Sequence, residues 1–114
     1  MKERGRVFLN PPYGRDEDGS NQARWSARLI DQYRSGTTKE AILLVNAVTG
    51  EKWFAPLWDY TICFTDHRIK FYNTDGEYSQ PTHSNAFIYF GPDPVKFARV
   101  FSHLGVVARR MEID

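Results

Sequence analysis

Residues 7–13 of the chain read Val7-Phe8-Leu9-Asn10-Pro11-Pro12-Tyr13, an apolar run that ends in two prolines and an aromatic ring. Proline cannot donate a hydrogen bond to a neighbouring strand, and it disfavours the helical conformation in the residue before it. The pattern therefore predicts a buried strand over residues 7–9 that stops abruptly at Asn10. Beyond the stop, the backbone carbonyls and the amide of Asn10 are free to point at a ligand.

The residue types of this turn suit the capture of a planar group that carries an amino function. The Asn10 side-chain oxygen and the Pro11 carbonyl can accept hydrogen bonds, and Tyr13 offers a flat surface beside them. An amino nitrogen conjugated with a ring is a poor nucleophile because its lone pair is delocalised. Two acceptors that hold its hydrogens would draw the lone pair out of the ring plane, so positioning and electrostatics could carry a methyl transfer. The competing interpretation is a turn that only terminates a strand.

Length and composition describe one ordinary globular domain. The chain has 114 residues, of which 41% are hydrophobic and 25% charged, enough for a modest core. The net charge of +1 does not by itself indicate a nucleic-acid partner, but basic residues cluster in two places. One group flanks the proline turn and the other follows residue 66: Lys2, Arg4, Arg6 and Arg15, then His67, Arg68 and Lys70.

The single cysteine argues against a disulfide or a metal framework. Cys63 lies within the apolar run 61–64, which predicts a buried structural thiol. Cys63 and His67 alone are too few ligands for a zinc site, so no metal is expected. No signal peptide and no apolar run of membrane-spanning length is present, so we expect a cytoplasmic protein with no membrane partner.

Hydrophobic periodicity predicts two helices. Ser20 as N-cap and Gly36 as a stop bound the first, over residues 21–35, and Asp93-Pro94 begins the second, which runs to about residue 103. The apolar faces predicted for the two helices consist of residues at spacings of three and four: Ala23, Ala27, Ile30 and Tyr33, then Phe97, Val100, Phe101 and Leu104.

Apolar runs between the helices predict the remaining strands. Residues 41–47 suit a strand buried on both faces of a parallel sheet, and residues 53–58 suit a short aromatic helix. Polar loops are expected at 15–19 and 73–84, and further strands at 60–64, 68–72, 86–90 and 106–108. This order is typical of the second half of a doubly wound α/β sheet that closes with an antiparallel hairpin. The turn at Asn10 then lies beyond the carboxyl end of a parallel strand, where such sheets bind ligands.

In this combination the chain resembles the C-terminal half of phage-type DNA N-6-adenine methyltransferases, the Dam-like family. The proline motif is shared by many methyltransferases and is only moderately specific, whereas its combination with the later segments is much more so. The resemblance spans about residues 5–105 and is carried by 7–13, 41–47 with Thr49, Trp53-Phe54, 62–64, 68–71 and 86–91. It implies a partial Rossmann-like class I methyltransferase sheet with helices on its faces.

The resemblance implies methyl transfer from S-adenosylmethionine to the exocyclic amino group of adenine in double-stranded DNA. The adenine would be flipped out of the duplex. By the family pattern, Asn10 and the Pro11 carbonyl hold the amino group, and Asn10 also borders the co-substrate. Pro12 shapes the turn, and Tyr13 stacks on the base.

The resemblance also points to the residues that would contact DNA. Arg15, Arg68 and Lys70, with the loop 73–84, are the candidates for phosphate and base contacts, which would make binding salt-dependent. For Arg68 and Lys70, a solvated strand face is an equally good interpretation.

The chain departs from the family pattern at its start. The family fold normally begins with cofactor-binding strands and a glycine-rich turn, and none of the eight glycines here forms a Gly-x-Gly element. We therefore expect residues 1–114 to be a single domain that lacks the cofactor-binding half, as a fragment or split subunit. Such a sheet would expose an apolar edge, so a second polypeptide or a homo-oligomer is expected. The isolated chain should bind S-adenosylmethionine weakly or not at all, in the cytoplasm of a bacterium or a phage-infected host.

Two alternatives remain open. Methyltransferases that act on glutamine side chains or on guanine amino groups of ribosomal RNA use similar Asn-Pro-Pro-aromatic turns, because each target is a conjugated amino nitrogen. A non-catalytic DNA-binding remnant that kept the fold after losing its cofactor half is the alternative from a different class.

Overall fold

The computed structural model describes residues 4–11, 15–16, 19–67, 71–72, 78–79 and 84–113. Nine strands, two α-helices and one 3-10 helix lie within these ranges. In chain order they are β1 (Arg4–Leu9), β2 (Arg15–Asp16), β3 (Gly19–Ser20), α1 (Asn21–Arg34), β4 (Thr38–Asn46), the 3-10 helix (Lys52–Asp59), β5 (Thr61–Thr65), β6 (Phe71–Tyr72), β7 (Tyr78–Ser79), β8 (Asn85–Phe90), α2 (Pro94–Phe101) and β9 (Gly105–Ala108).

Strand β1, helix α1 and strand β4 form a parallel βαβ unit. The two strands pair in register, with Val7 opposite Ala41 and Leu9 opposite Leu43. The helix begins where the sequence predicts, because the Ser20 hydroxyl accepts a hydrogen bond from the Ala23 amide at 3.3 Å. This unit is the part of the fold that places Asn10 at the carboxyl end of a parallel strand.

The buried face of α1 differs from the predicted one. Leu29 and Ile30 are buried together with two polar residues, Gln22 and Ser26, whereas Ala27 is exposed. Larger side chains gain more free energy from burial than alanine does, so Leu29 and Ile30 set the rotation of the helix. Gln22 can be buried because its side-chain oxygen accepts a backbone hydrogen bond from Asn46 at 2.7 Å.

Within the described residues, the main sheet is mixed and has five strands in the order β1-β4-β8-β5-β9. Strand β4 is parallel to β1 but antiparallel to β8, so the expectation of parallel neighbours for residues 41–47 is correct on one side only. The C-terminal strands pair antiparallel, with β5 between β8 and β9. The α/β class is therefore confirmed, and the sheet closes by a crossover through α2 instead of a simple hairpin.

Helices cover both faces of the sheet. Successive residues of a strand point to opposite faces, and the core accordingly divides in two. On one face α1 and the 3-10 helix pack on the sheet, with Leu29, Leu43, Phe54, Leu57, Ile88 and Phe90 fully or almost fully buried. On the other face α2 contributes Phe97 to a cluster with Leu44, Cys63, Phe87 and Tyr89. Strand β8 lies in the middle and is buried at every position.

The segments predicted as loops contain short strand pairs. Strands β2 and β3 pair antiparallel within and just after the predicted loop 15–19. Strand β6 falls in the predicted strand 68–72 and pairs with β7, which falls in the predicted loop 73–84. Residues 68–70 and most of that loop lie outside the described residues. No helix in the described parts of the chain has the length and apolar character needed to cross a membrane.

Replacing Gly105 by alanine should destabilise the sheet edge formed by β9. Gly105 lies opposite Thr65, and a Cβ atom added there would come within 1.9 Å of the Phe64 carbonyl oxygen. Because that oxygen belongs to the backbone, the strands must shift, and we expect the free energy of unfolding to fall by about 1–3 kcal/mol. Urea unfolding measures the change. Gly50→Ala is the control because no atom lies within 4 Å of its added Cβ. Equal midpoints for the two variants would contradict the close approach.

Candidate functional site

The carboxyl ends of β1 and β4 meet at one edge of the sheet, next to the start of α1. Asn10 follows β1 directly, and Asn46 ends β4 three positions beyond the residue that pairs with Leu9. Helix α1 begins at the same edge, where Gln22 bonds to the Asn46 amide. The end of a parallel strand beside a helix N-terminus is the usual place for a ligand in an open α/β sheet.

The two described members of the predicted catalytic turn differ in accessibility. Asn10 is exposed, so its side-chain amide can be reached from solvent. Pro11 is fully buried, so its carbonyl is covered in this conformation. An amino group can therefore bind Asn10 directly, but it can bind both acceptors only after the residues that cover Pro11 move. Pro12 and Tyr13 lie outside the described residues, and their contribution to the cluster stays a prediction.

The predicted DNA contacts also stay predictions. Arg15 lies in β2, which places its backbone in the hairpin between the Asn10 turn and α1. Arg68 and Lys70 lie outside the described residues. Arg15 therefore lies in the hairpin that follows the Asn10 turn. The second basic group has no described position.

A buried polar network at this same edge was not anticipated from the sequence. The Thr65 hydroxyl donates to the Asn85 carbonyl at 3.2 Å and accepts from the Asn85 amide at 3.3 Å. With Gln22 and its bond to Asn46, these contacts fix the ends of β4, β5 and β8 relative to one another. The signal in the sequence is that β4, β5 and β8 each begin or end with asparagine or threonine, which a buried position tolerates only with partners.

Two surface depressions are formed by described residues, and neither is lined by Asn10 or Pro11. The first, about 950 Å³, lies at the other end of the strands from Asn10. Aromatic and arginine side chains line it, including Tyr33, Trp58, Tyr60, Arg109 and Arg110. The second, about 760 Å³, is a groove between β1 and α2.

A clamp of hydrogen bonds and one ion pair joins three neighbouring strands to α2 on the α2 face of the sheet. The Tyr89 hydroxyl donates to Glu40 Oε2 at 2.6 Å and accepts from the Asp93 amide at 3.0 Å. Glu40 Oε1 in turn pairs with Arg6 Nε at 3.1 Å. Burial, and next the hydrogen bond to Glu40, raises the pKa of Tyr89 to about 12. The clamp links β1, β4 and β8 to the start of α2.

Removing the Tyr89 hydroxyl should change how stability depends on pH. Because the folded state holds the Tyr89 proton more tightly than the unfolded chain does, this contribution is complete below about pH 10 and is lost as pH rises toward the folded pKa of about 12. We expect the parent to lose more stability than Tyr89→Phe between about pH 9 and about pH 11.5, by about 2 kcal/mol at most. Urea unfolding at about pH 9 and about pH 11.5 measures the difference. Identical pH profiles for the parent and Tyr89→Phe would refute the contribution of the raised Tyr89 pKa to stability.

Cys63 has a structural environment. Its thiol is fully buried and donates to the Phe101 carbonyl at 3.5 Å, which confirms the predicted buried thiol. Burial, with a smaller effect of Asp66, raises its pKa. Among the residues that the structure describes, no three His, Cys, Asp or Glu side chains come together as metal ligands.

Comparisons with known proteins identify no relative of the chain. No family model matches it, no curated protein is detectably similar to it, and no solved structure matches its fold. The structure itself shows a mixed five-stranded α/β sheet with helices on both faces and an exposed asparagine at the end of its parallel edge strand.

Proposed function

We propose that the chain is the target-base half of a DNA adenine N-6-methyltransferase. The observation that carries the proposal is the placement of Asn10-Pro11 directly after β1, a parallel strand at the edge of the sheet. Asn10, with its side-chain acceptor, and the Pro11 carbonyl follow the carboxyl end of a parallel strand, which is where open α/β sheets bind their ligands.

The chemistry assigned to the turn is the holding of an amino group. The Asn10 oxygen accepts one hydrogen of the adenine amino group, and the Pro11 carbonyl accepts the other once its cover is displaced. Tyr13 stacks on the ring. A flipped base that enters the site would displace the residues that cover Pro11, since the base would occupy the space in front of the turn. The DNA contacts are assigned to Arg15, Arg68 and Lys70.

The described polar side chains at the carboxyl edge bond within the chain. At the carboxyl edge Gln22, Thr65 and Asn85 are engaged in bonds that tie strands together, and neither depression of the described surface includes Asn10. The proposal therefore assigns the methyl donor to a second polypeptide and leaves Asn10 as the residue of this chain that borders it. Glutamine or ribosomal-RNA guanine as the target would use the same acceptors.

A probe that lacks the amino group tests the assignment without the methyl donor. The purified chain is titrated with two duplexes of the same sequence, each with one unpaired nucleotide that carries adenine in one duplex and unsubstituted purine in the other. Two accepted hydrogen bonds should make adenine bind about ten-fold more tightly. Asn10→Ala should remove most of that preference.

The other outcomes separate the alternatives. Salt-dependent binding of both duplexes without a preference would support a non-catalytic DNA-binding remnant and would overturn the assigned role of the turn. Buried Pro11 is the observation that favours that second candidate. A preference for an unpaired guanine over adenine would favour the RNA-type target instead.

A further inference from the structure

Gln22 is a buried polar side chain that uses only half of its hydrogen-bonding capacity. It lies on the sheet-facing side of α1 and is 7% exposed. Its side-chain oxygen accepts the backbone N–H of Asn46 at 2.7 Å. Its side-chain nitrogen carries two further N–H donors, and no described residue accepts either of them. Buried polar groups in folded proteins are normally paired, so these donors call for a partner from outside the described residues.

The bond to Asn46 fixes the direction in which the Gln22 amide faces. A backbone N–H can bond only to the oxygen of a side-chain amide, because the amide nitrogen is a donor and not an acceptor. The oxygen therefore faces β4 and the nitrogen faces away from it. The nitrogen is also accessible, since Ser26 Oγ is the side-chain atom of α1 that is fully buried without a partner. Gln22 thus holds two oriented donors at the carboxyl edge of the sheet.

Gln22 and Asn10 lie at the same edge of the sheet. Asn10 is one position past Leu9, and Asn46 is three positions past Leu43, the residue that pairs with Leu9. Strand geometry therefore places the backbone of Asn46 about 7 Å further along the strands than Asn10 and about 5 Å across from it. A planar two-ring base spans a gap of this size. One base can contact both the Asn10 side chain and the Gln22 amide that bonds to Asn46.

We propose that Gln22 is a specificity-determining residue that donates a hydrogen bond to a ring nitrogen of the target adenine. The inference rests on the proposed function, because it takes Asn10 as the acceptor for the amino group. In adenine the amino group lies between two ring nitrogens, N1 and N7, and both are acceptors. An acceptor at Asn10 and a donor at Gln22 match this edge of the base, on which a donor and an acceptor are neighbours.

The side chain of Asn46 is the competing donor at this edge. It is half-buried, and no described residue bonds to its amide group. This amide can turn either its oxygen or its nitrogen toward a ligand, whereas the bond to the Asn46 backbone holds the Gln22 amide in one orientation. A donor that is fixed before the base binds loses less conformational entropy on binding. Gln22 is therefore the better donor, and Asn46 serves as the comparison in the test.

Base analogues that lack one ring nitrogen test the donor directly. The purified chain is titrated with duplexes that carry one unpaired nucleotide with adenine, 7-deazaadenine or 1-deazaadenine. Each analogue keeps the amino group and has a C–H in place of one ring nitrogen. The parent should bind one of the two analogues about five-fold more weakly than adenine, as expected for the loss of one hydrogen bond. Gln22→Glu should remove this difference, because a carboxylate still accepts the Asn46 N–H but has no N–H to donate.

Three further variants control for effects on the fold. A negative charge in the first turn of a helix is favourable, so Gln22→Glu should fold, and thermal unfolding checks it. Gln22→Met, which has a similar length and no charge, takes its place if the glutamate variant unfolds. Ser26→Ala removes an unpartnered hydroxyl from the same side of α1 and should keep the difference between adenine and the analogue. Asn46→Asp should keep it as well.

The outcomes separate the role of Gln22 from that of Asn10. Equal binding of adenine and both analogues by the parent would overturn the proposal. A difference that persists in Gln22→Glu, or one that disappears in Asn46→Asp, would overturn it as well. The preference for adenine over unsubstituted purine reports on Asn10 and should survive in Gln22→Glu. If the parent shows that preference but fails the analogue test, the role of Gln22 alone is wrong. If the parent lacks that preference, the proposed function fails and the role of Gln22 fails with it.

Discussion

Under the proposed function, replacing Asn10 by alanine should lower the rate of methyl transfer to adenine by about 10²–10³-fold when the chain is combined with a cofactor-binding polypeptide. The loss is large because the oxygen of Asn10 is one of only two acceptors assigned to the amino group. It is also the one that is accessible, since Pro11 is buried. The fold should not change, because an exposed side chain after the end of β1 contributes little to the core. The measurement is single-turnover methyl transfer, with thermal unfolding as a check on stability.

Two further substitutions separate recognition from structure. Asn10→Asp keeps an acceptor oxygen at the same position and should retain much more activity than Asn10→Ala. Asn21→Ala removes another asparagine side chain, at the first position of α1, and should leave the rate unchanged. If Asn10→Ala transfers methyl groups at the parent rate, or if the aspartate variant is equally impaired, the role of Asn10 as a hydrogen-bond acceptor is wrong.

Local signals in the sequence predicted most helices and strands, but they did not predict how the strands pair. Ser20 and Asp93 cap their helices as expected, and the apolar run that ends at Asn46 is a strand. Strand order depends instead on contacts between residues far apart in the chain. Strand β8 lies between β4 and β5, and β9 lies beyond β5. The hydrophobic periodicity within each segment does not predict which segments pair.

The end of β1 was predictable from the sequence, but the accessibility of the residues that follow it was not. Proline chemistry places the stop of β1 at Asn10, and the βαβ pattern places that stop at the carboxyl edge. Burial of Pro11 depends on the packing of its neighbours in space, and the local sequence does not predict that packing. The bonds of Gln22 and Thr65 likewise depend on tertiary contacts, which is why a helix face counted from alanines missed Gln22.

Replacing Phe90 by alanine should lower the free energy of unfolding by about 3–5 kcal/mol. Phe90 is completely buried at the end of β8, the central strand. Its ring lies 4.3 Å from that of Tyr60 and 5.6 Å from that of Tyr33, between centroids, so the change removes ring contacts as well as apolar area. The cavity left behind cannot close easily, because strands flank β8 on both sides and α1 covers it.

Phe8→Ala is the matched control, since it truncates the same side chain on the edge strand of the same sheet. Phe8 is 62% exposed, so its loss should cost less than about 1 kcal/mol. Urea unfolding of both variants at equal protein concentration gives the comparison. Equal losses would contradict the exposed position of Phe8 on the edge strand. A small loss for Phe90→Ala would contradict the central position of β8, because only a peripheral strand could lose that ring without a lasting cavity.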